Sequence, residues 1–397
     1  MTAEQSFFLA LLRDHVQGSV QAPVPENMDC EALLAIARDQ SLQGIIYAQI
    51  KALRKNGAEI PEEVFERFHK AFHNEVWEAA NQRAYLAKVS RALDEAGIEH
   101  IPFKGCVVRQ SWPVPELRTM GDLDILIRQR DVEAADRLMR SLGFARSRDS
   151  NEVWSYTLDG LMFEMHNRMF YEHLVNEVDY PAYFDAAWEH ADPSLEPDFH
   201  LLYLIAHLAK HTVNKGMGFR GFLDLVFFAK EQGDQLHWDK ICRELEKLKL
   251  LQFTETCYAF CRAWFGTETP IPVKALDPDF YTAVTEKMFR DGTFGLENEQ
   301  NAGARAAKEI SHSGGSYWLG AVKLTLRRIF PAYEDMNIVP RYAFLDGRPW
   351  LLPAAWVYRW VYVLGHKRKQ GEALLLEPYQ KKAVVEKRQQ YIRDWGI

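Results

Sequence analysis

Between residues 62 and 97 the apolar positions Phe65, Phe68, Phe72, Val76, Ala79, Leu86, Val89 and Leu93 follow one another mostly at steps of three and four. Such spacing places them on one face, so it predicts a long amphipathic helix that stops at Gly97. Shorter helical periods at 4–16 and 31–54 make the first 96 residues an all-helical region. After Gly97 the period changes. "IEHIPFKG" and "DLDILI" read as strands, and "RDVEAADRLMRSLG" as a helix with Val132, Ala135, Leu138, Met139 and Leu142 on one side. "NEVWSYTL" and "LMFEMH" are separated by Asp159-Gly160, a strong hairpin signal because a tight primed turn needs positive φ at both central positions. Helical patterns return at "FHLLYLIAHLAKHTV", "RGFLDLVFFAKEQ" and "WDKICRELEKLKLLQFTETCYAFCRAWFG", and the tail "EKRQQYIRDW" is basic. "SHSGGSYWLG" and the Pro-bounded stretch at 340–353 are the predicted loops. The expected fold class is α+β: a small mixed sheet at 97–195, an N-terminal helical region at 1–96 and a C-terminal helical domain at 196–397.

Two aspartates interrupt the apolar strand. Side chains alternate along a strand, so Asp122, Asp124 and Leu126 share one face and Leu123, Ile125 and Ile127 the other. In "LMFEMH" the sharing residues are Met162, Glu164 and His166. If the two strands are neighbours, a third acid joins the pair. Like charges this close raise each other's pKa unless a cation lies between them. Hard oxygen donors on a rigid sheet suit Mg²⁺ or Mn²⁺, with phosphates and water completing the shell. The reaction class that follows is phosphoryl or nucleotidyl transfer. Strand-end carboxylates facing solvent are the bland reading of the same pair. Lys104-Gly105 follows a strand and opens a short helix, where free N–H groups and an ammonium can receive phosphate. Arg118, four residues before Asp122, is a second cation with fork geometry.

Strand, Gly-containing turn, short helix, D-h-D strand and a later strand with a third acid resemble the core of the DNA polymerase beta-like nucleotidyltransferase superfamily. "IPFKG", "LRTMGDLDILI" and "LMFEMH", followed by "LIAHLAKH" and "FRGFLDLVFF", resemble more narrowly a bacterial family of uncharacterised nucleotidyltransferases, over roughly residues 60–230. The resemblance implies that Asp122, Asp124 and Glu164 are the catalytic and metal-binding acids and that Gly105 is the phosphate-turn glycine. It also implies a nucleoside triphosphate donor. The chain departs from the superfamily in three ways: Cys106 stands where a second Gly or a Ser is usual, with Lys104 the candidate substitute for that contact, the gap from that turn to Asp122 is longer than usual, and the third acid is Glu rather than Asp.

His200, His207 and His211 lie at i, i+7 and i+11 on one helical face. Structural histidines, lining of a nucleotide or acceptor pocket, and a separate metal site are all open readings, and a metal hydrolase built on them lacks a suitably spaced carboxylate. His207 and His211 are counted with His166, Lys104, Gly105 and Arg118 as candidate nucleotide- or phosphate-binding residues. Arg220 and Asp224, one turn apart, suit an ordinary helical ion pair; alternatively Arg220, Lys210 and Lys215 face a cleft. Arg83 falls on the apolar stripe of the long helix and either snorkels or points into the site. Trp112, Trp154 and Trp188, and the pair Cys257 and Cys261, read as core.

The net charge of −7 and pI near 6.0 argue against nucleic acid as the main partner, since backbone binding needs a basic surface. Five scattered cysteines without a CxxC pair suggest neither a disulfide framework nor zinc, and the N-terminus lacks a secretory pattern, so a cytoplasmic location is expected. "PWLLPAAWVYRWVYVLG" is interrupted by Pro353 and Arg359 and falls short of the roughly 20 residues a membrane span needs, which predicts a buried or interfacial helix, burial preferred. The expected function is Mg²⁺- or Mn²⁺-dependent transfer of a nucleoside monophosphate from a triphosphate to an unknown small-molecule, sugar or protein acceptor. Its alternative is a catalytically silent nucleotide-binding scaffold or sensor.

Overall fold

The alternating and helical patterns resolve into one five-stranded sheet set among helices in a computed structural model, which describes residues 1–149, 152–192, 194–214, 216–293, 317–337, 339–366, 371, 375 and 382–397. The N-terminal region is helical: α1 (Ala3–Gln17), α2 (Cys30–Asp39), α3 (Gln43–Lys55) and the 34-residue α4 (Glu62–Glu95). The pattern at 31–54 is two helices rather than one, broken where Ser41 takes a φ of 55°.

The sheet follows, as β1 (His100–Pro102), β2 (Leu123–Ile127), β3 (Ala145–Asp149), β4 (Val153–Leu158) and β5 (Leu161–His166). Between them lie the four-residue α5 (Gly105–Val108) and α6 (Val132–Ser141). Its order is β1-β2-β5-β4-β3, with β2 parallel to β5 and the other pairs antiparallel. Asp159 and Gly160 turn the β4–β5 hairpin at φ of 50° and 83°. β3 has no counterpart among the predicted strands: "ARSRD" offers almost nothing apolar to alternate.

β2 is buried along its whole length because both faces are covered. Leu123, Ile125 and Ile127 join an apolar cluster with Phe163, Met165, Met139 of α6 and Val89 and Leu93 of α4. Leu126 joins the larger cluster, which runs from Phe8 and Ile46 to helices beyond the sheet. Asp124, on the face of Leu126, is therefore turned toward those later helices.

The later helices are α7 (Tyr180–Phe184), α8 (Pro197–Asn214), α9 (Phe219–Gln232), α10 (Trp238–Lys247), α11 (Leu251–Phe265) and α12 (Pro278–Asp291). The helical pattern at 238–266 is interrupted at Lys249, whose φ is 53°. After these come α13 (Tyr317–Ile329), α14 (Tyr333–Asn337), α15 (Leu352–His366) and α16 (Lys382–Asp394). The predicted loop at 311–320 lies outside the described residues as far as 316, and its end opens α13. The Pro-bounded stretch forms short 3₁₀ turns at Pro340–Leu345 and Pro349–Leu351. Within 349–365, Ala355 is buried while Val357 and Val361 are 65% and 66% exposed, so burial, the preferred reading, holds for one face alone. Among the described residues, no helix is long and apolar enough to cross a membrane.

α16 returns to the large core. Trp395, just beyond it, is buried against Phe253, Phe260 and Phe280, and Arg388 donates to the carbonyls of Thr212 and Val213 at 2.7 and 3.0 Å, at the C-terminal end of α8.

Candidate active site

The parallel register of β2 and β5 sets Asp124 opposite Glu164 and Leu126 opposite His166. Asp122, just before β2, stands on the same side. A cleft of about 320 Å³ opens in front of them, walled by β2, the loop at 118–121, α8 and α9. Lys104, Gly105, Arg118, Asp122, Asp124, Glu164, His207 and His211 all line it. His166 does not. It is fully buried behind Asp124, with Nε2 2.8 Å from Asp124 Oδ1 and 3.5 Å from Glu164 Oε2. An ionised carboxylate only accepts, so Nε2 carries the proton in that bond. Nδ1 is buried without a hydrogen-bond partner.

Lys104 Nζ lies 2.5 Å from Asp124 Oδ1 and 5.0 Å from the centroid of the Phe103 ring. Lys104 takes a φ of 52°, an uncommon backbone conformation for a non-glycine residue, found here next to the charged cluster. Burial alone would raise Asp124, but Lys104 and His166 hold it down at about 2. Asp122 goes the other way: Asp124 first, and burial second, push it up to about 6. The Glu164 carboxyl is lowered, chiefly by its contact with His166. Asp124, Glu164 and His166 each offer a ligand atom within 4.8 Å of the others. With His166 donating to Asp124, the oxygen donors are Asp124 and Glu164 with Asp122 beside them, and these three acids, which carry more negative charge than Lys104 neutralises, fit a hard divalent cation.

The turn residues have structural reasons of their own. A Cβ at Gly105 would come within 2.7 Å of both Arg118 Nη1 and Met120 Sδ, so glycine lets the 118–121 loop close over α5. Cys106 is buried in the apolar cluster of Leu123 and Ile125 and does not line the cleft, so its departure from serine leaves the cleft wall unchanged.

Arg118 donates through Nε and Nη2 to both oxygens of Asp224, each at 2.7 Å, and Trp112 Nε1 donates to the same carboxylate at 2.9 Å. The carboxylate assigned to Arg220 by helical spacing is thus held in a two-pronged grip by Arg118. Arg220 donates instead to Thr119 O and Oγ1, and burial lowers its pKa to about 10. Both arginines line the cleft.

Lys210 lines it too, its Nζ 3.7 Å from Glu172 Oε1 and its pKa lowered by burial to about 8. Lys215 lies outside the described residues. On α8, His207 and His211 bring their Nε2 atoms to 2.9 Å, and burial drives His207 well below the usual range. His200 is separate from them, buried against Phe228 and brought down to about 4 by desolvation.

Two contributors escaped the sequence reading. Arg109, 5% exposed, donates to Arg118 O and Gln82 Oε1, while Gln82 donates to Met120 O. Together they pin the backbone of the loop that carries Arg118. Tyr171 lines the cleft with Lys210 over its ring. Neither has a periodic or motif signal that could have found it. Trp112 and Trp154 are core residues, Trp188 is half-buried beneath the Arg128 guanidinium, and Cys257 and Cys261 are buried. Arg83 snorkels: it is exposed, 3.5 Å from Glu116.

A family model described as an uncharacterised nucleotidyltransferase matches residues 26–266, from just before α2 to the end of α11. No curated protein and no solved structure matches the chain.

Proposed function

The chain belongs to the uncharacterised nucleotidyltransferase family and is a transferase of nucleotidyl groups; from that premise, we propose that it moves a nucleoside monophosphate from a nucleoside triphosphate to a small-molecule, sugar or protein acceptor, with Mg²⁺ or Mn²⁺. The observation that carries this reading is the side-by-side placement of Asp124 and Glu164 on parallel strands, with Asp122 beside them at a cleft whose other wall is cationic.

Asp122, Asp124 and Glu164 would hold the metal, which supplies charge neutralisation at the attacking and leaving oxygens. His166 fixes the rotamer of Asp124 from behind and keeps Glu164 ionised. The lowered pKa of Glu164 suits a ligand better than a general base. Lys104, Lys210 and Arg220 face the space that a triphosphate would fill. The two N–H groups of Arg118 that bind Asp224 are already committed, so its part is chiefly to hold α9 against the 118–121 loop. The acceptor attacks the α-phosphorus and gives its proton to solvent as the bond to the bridging oxygen breaks and pyrophosphate departs.

Calorimetric titration of ATP, GTP, CTP and UTP, with and without Mg²⁺ or Mn²⁺, tests the reading. Saturable binding that requires the metal and weakens about a hundredfold or more in Asp122→Ala/Asp124→Ala is expected, since the ligand set is then lost. The Lys104–Asp124 bridge gives some weight to the second reading, a silent nucleotide-binding scaffold, because it provides the acids with a counter-charge of their own. Triphosphate binding of equal strength without any divalent ion, and no pyrophosphate release with any acceptor class, would favour it.

A further inference from the structure

Two helices beyond the matched residues turn apolar side chains outward. On α13, Trp318, Leu319, Val322 and Leu326 are exposed, and Phe330 just past its end is too, while Ala321 and Leu324 are buried. At about 100° per residue these form one outward stripe opposite the buried side, bordered by the exposed Lys323 and Arg327. On α15, Val357, Tyr358, Val361 and Leu364 form a second outward stripe, and Trp350 before it is 70% exposed.

Contacts between the two helices lie off these stripes, and Lys382 of α16 reaches the Trp318 ring at one end. Trp356 Nε1 donates to Pro331 O, Arg359 Nη1 to Arg328 O and Trp360 Nε1 to Ile329 O, so α15 covers the carbonyl end of α13 rather than its apolar face. Exposed apolar stripes of this kind mark an interaction site.

Charge says what covers it. Residues 317–366 hold six Lys and Arg against three Asp and Glu, a local +3 in a chain of net −7, which leaves −10 elsewhere. A self-complementary dimer through this face would set positive against positive. Helices that, among the described residues, are not long and apolar enough to cross a bilayer, with exposed Trp and flanking Lys and Arg, have instead the make-up of elements that lie within a lipid headgroup layer. We infer that α13 and α15 dock the protein on an anionic phospholipid surface, their apolar stripes entering the acyl boundary and their basic residues meeting the headgroups. This surface does not depend on the nucleotide reading of the cleft.

Flotation of the full chain with vesicles of phosphatidylcholine, alone or with one third phosphatidylglycerol, tests it. Binding should be about tenfold or more stronger to the anionic vesicles and weaken with salt. Leu326→Glu/Val361→Glu should abolish it and Lys323→Glu/Arg327→Glu should remove the anionic preference, with unchanged circular dichroism and melting, because all four side chains are exposed. Absence of flotation with anionic vesicles would overturn the inference, as would flotation that ignores both variants. So would a dimer in sedimentation velocity that Leu326→Glu/Val361→Glu dissolves while vesicles are left unbound.

Discussion

Asp122 and Asp124 are two residues apart, yet their surroundings drive them in opposite directions, to about 6 and about 2. Lys104 and His166 both address Asp124, so Asp122 is left with the repulsion. Because the folded pKa of Asp122 lies above its ordinary value, the native state binds more protons than the unfolded one between about pH 4 and 6, and stability falls as pH rises through that window. Asp122→Asn should therefore stabilise the free protein at pH 7.5 by about 1–2 kcal/mol, flatten the slope below pH 6 and abolish metal-dependent triphosphate binding. Urea unfolding across pH 4–8 checks the first two, calorimetry the third. Glu75, raised by burial to about 7, should keep its own downward slope in that variant. At this scale the acids were legible, because alternation fixes which side chains share a face. The partner of Asp224 was not: helical spacing offers Arg220, whereas the loop that brings Arg118 to it is set by Gly105 and Arg109, contacts with no period.

α3 shows what a helix start demands when its own N-cap supplies nothing. Leu42 makes no capping bond, and the buried Glu75 carboxylate from α4 sits against Gly44 near that N-terminus, where the Gly44 amide offsets part of its burial. A carboxylate at the positive end of a helix dipole is favourable. A Cβ on Gly44 would strike Glu75 Oε2 and come to 2.8 Å from Leu117 Cδ2. Gly44→Ala should thus destabilise by about 1–3 kcal/mol despite the higher helix propensity of alanine, read as a lower urea midpoint. The same physics bounds what a pattern reveals about elements. α4 and the β4–β5 hairpin could be read because apolar period and turn chemistry agree. The breaks at Ser41 and Lys249 could not, since both are non-glycine residues with positive φ, a conformation that neither residue type signals. α4 also buries Glu75 and Gln82, polar residues that serve α3 and the 118–121 loop, so its inward face is wider than its apolar stripe.

Across the whole molecule, one apolar cluster joins α1, α3, the inner face of β2, α8, α9 and α11, and Trp395 closes it. The sequence reading placed the sheet between helices but had no means to show that helices on both sides of it share a core, because periodicity identifies faces and not their partners. Trp395→Ala should lower stability by about 3–5 kcal/mol, measured by urea unfolding. Arg388→Ala should leave the Thr212 and Val213 carbonyls without that donor and loosen the end of α8 that carries His207, Lys210 and His211. That variant should weaken triphosphate binding several-fold in calorimetry without touching a cleft residue. The same anchorage orders events during translation. Because the sheet and its acids precede residues 388–395 in the chain, a growing chain should carry its acids before the end of the helix that walls the cleft gains its Arg388 donor.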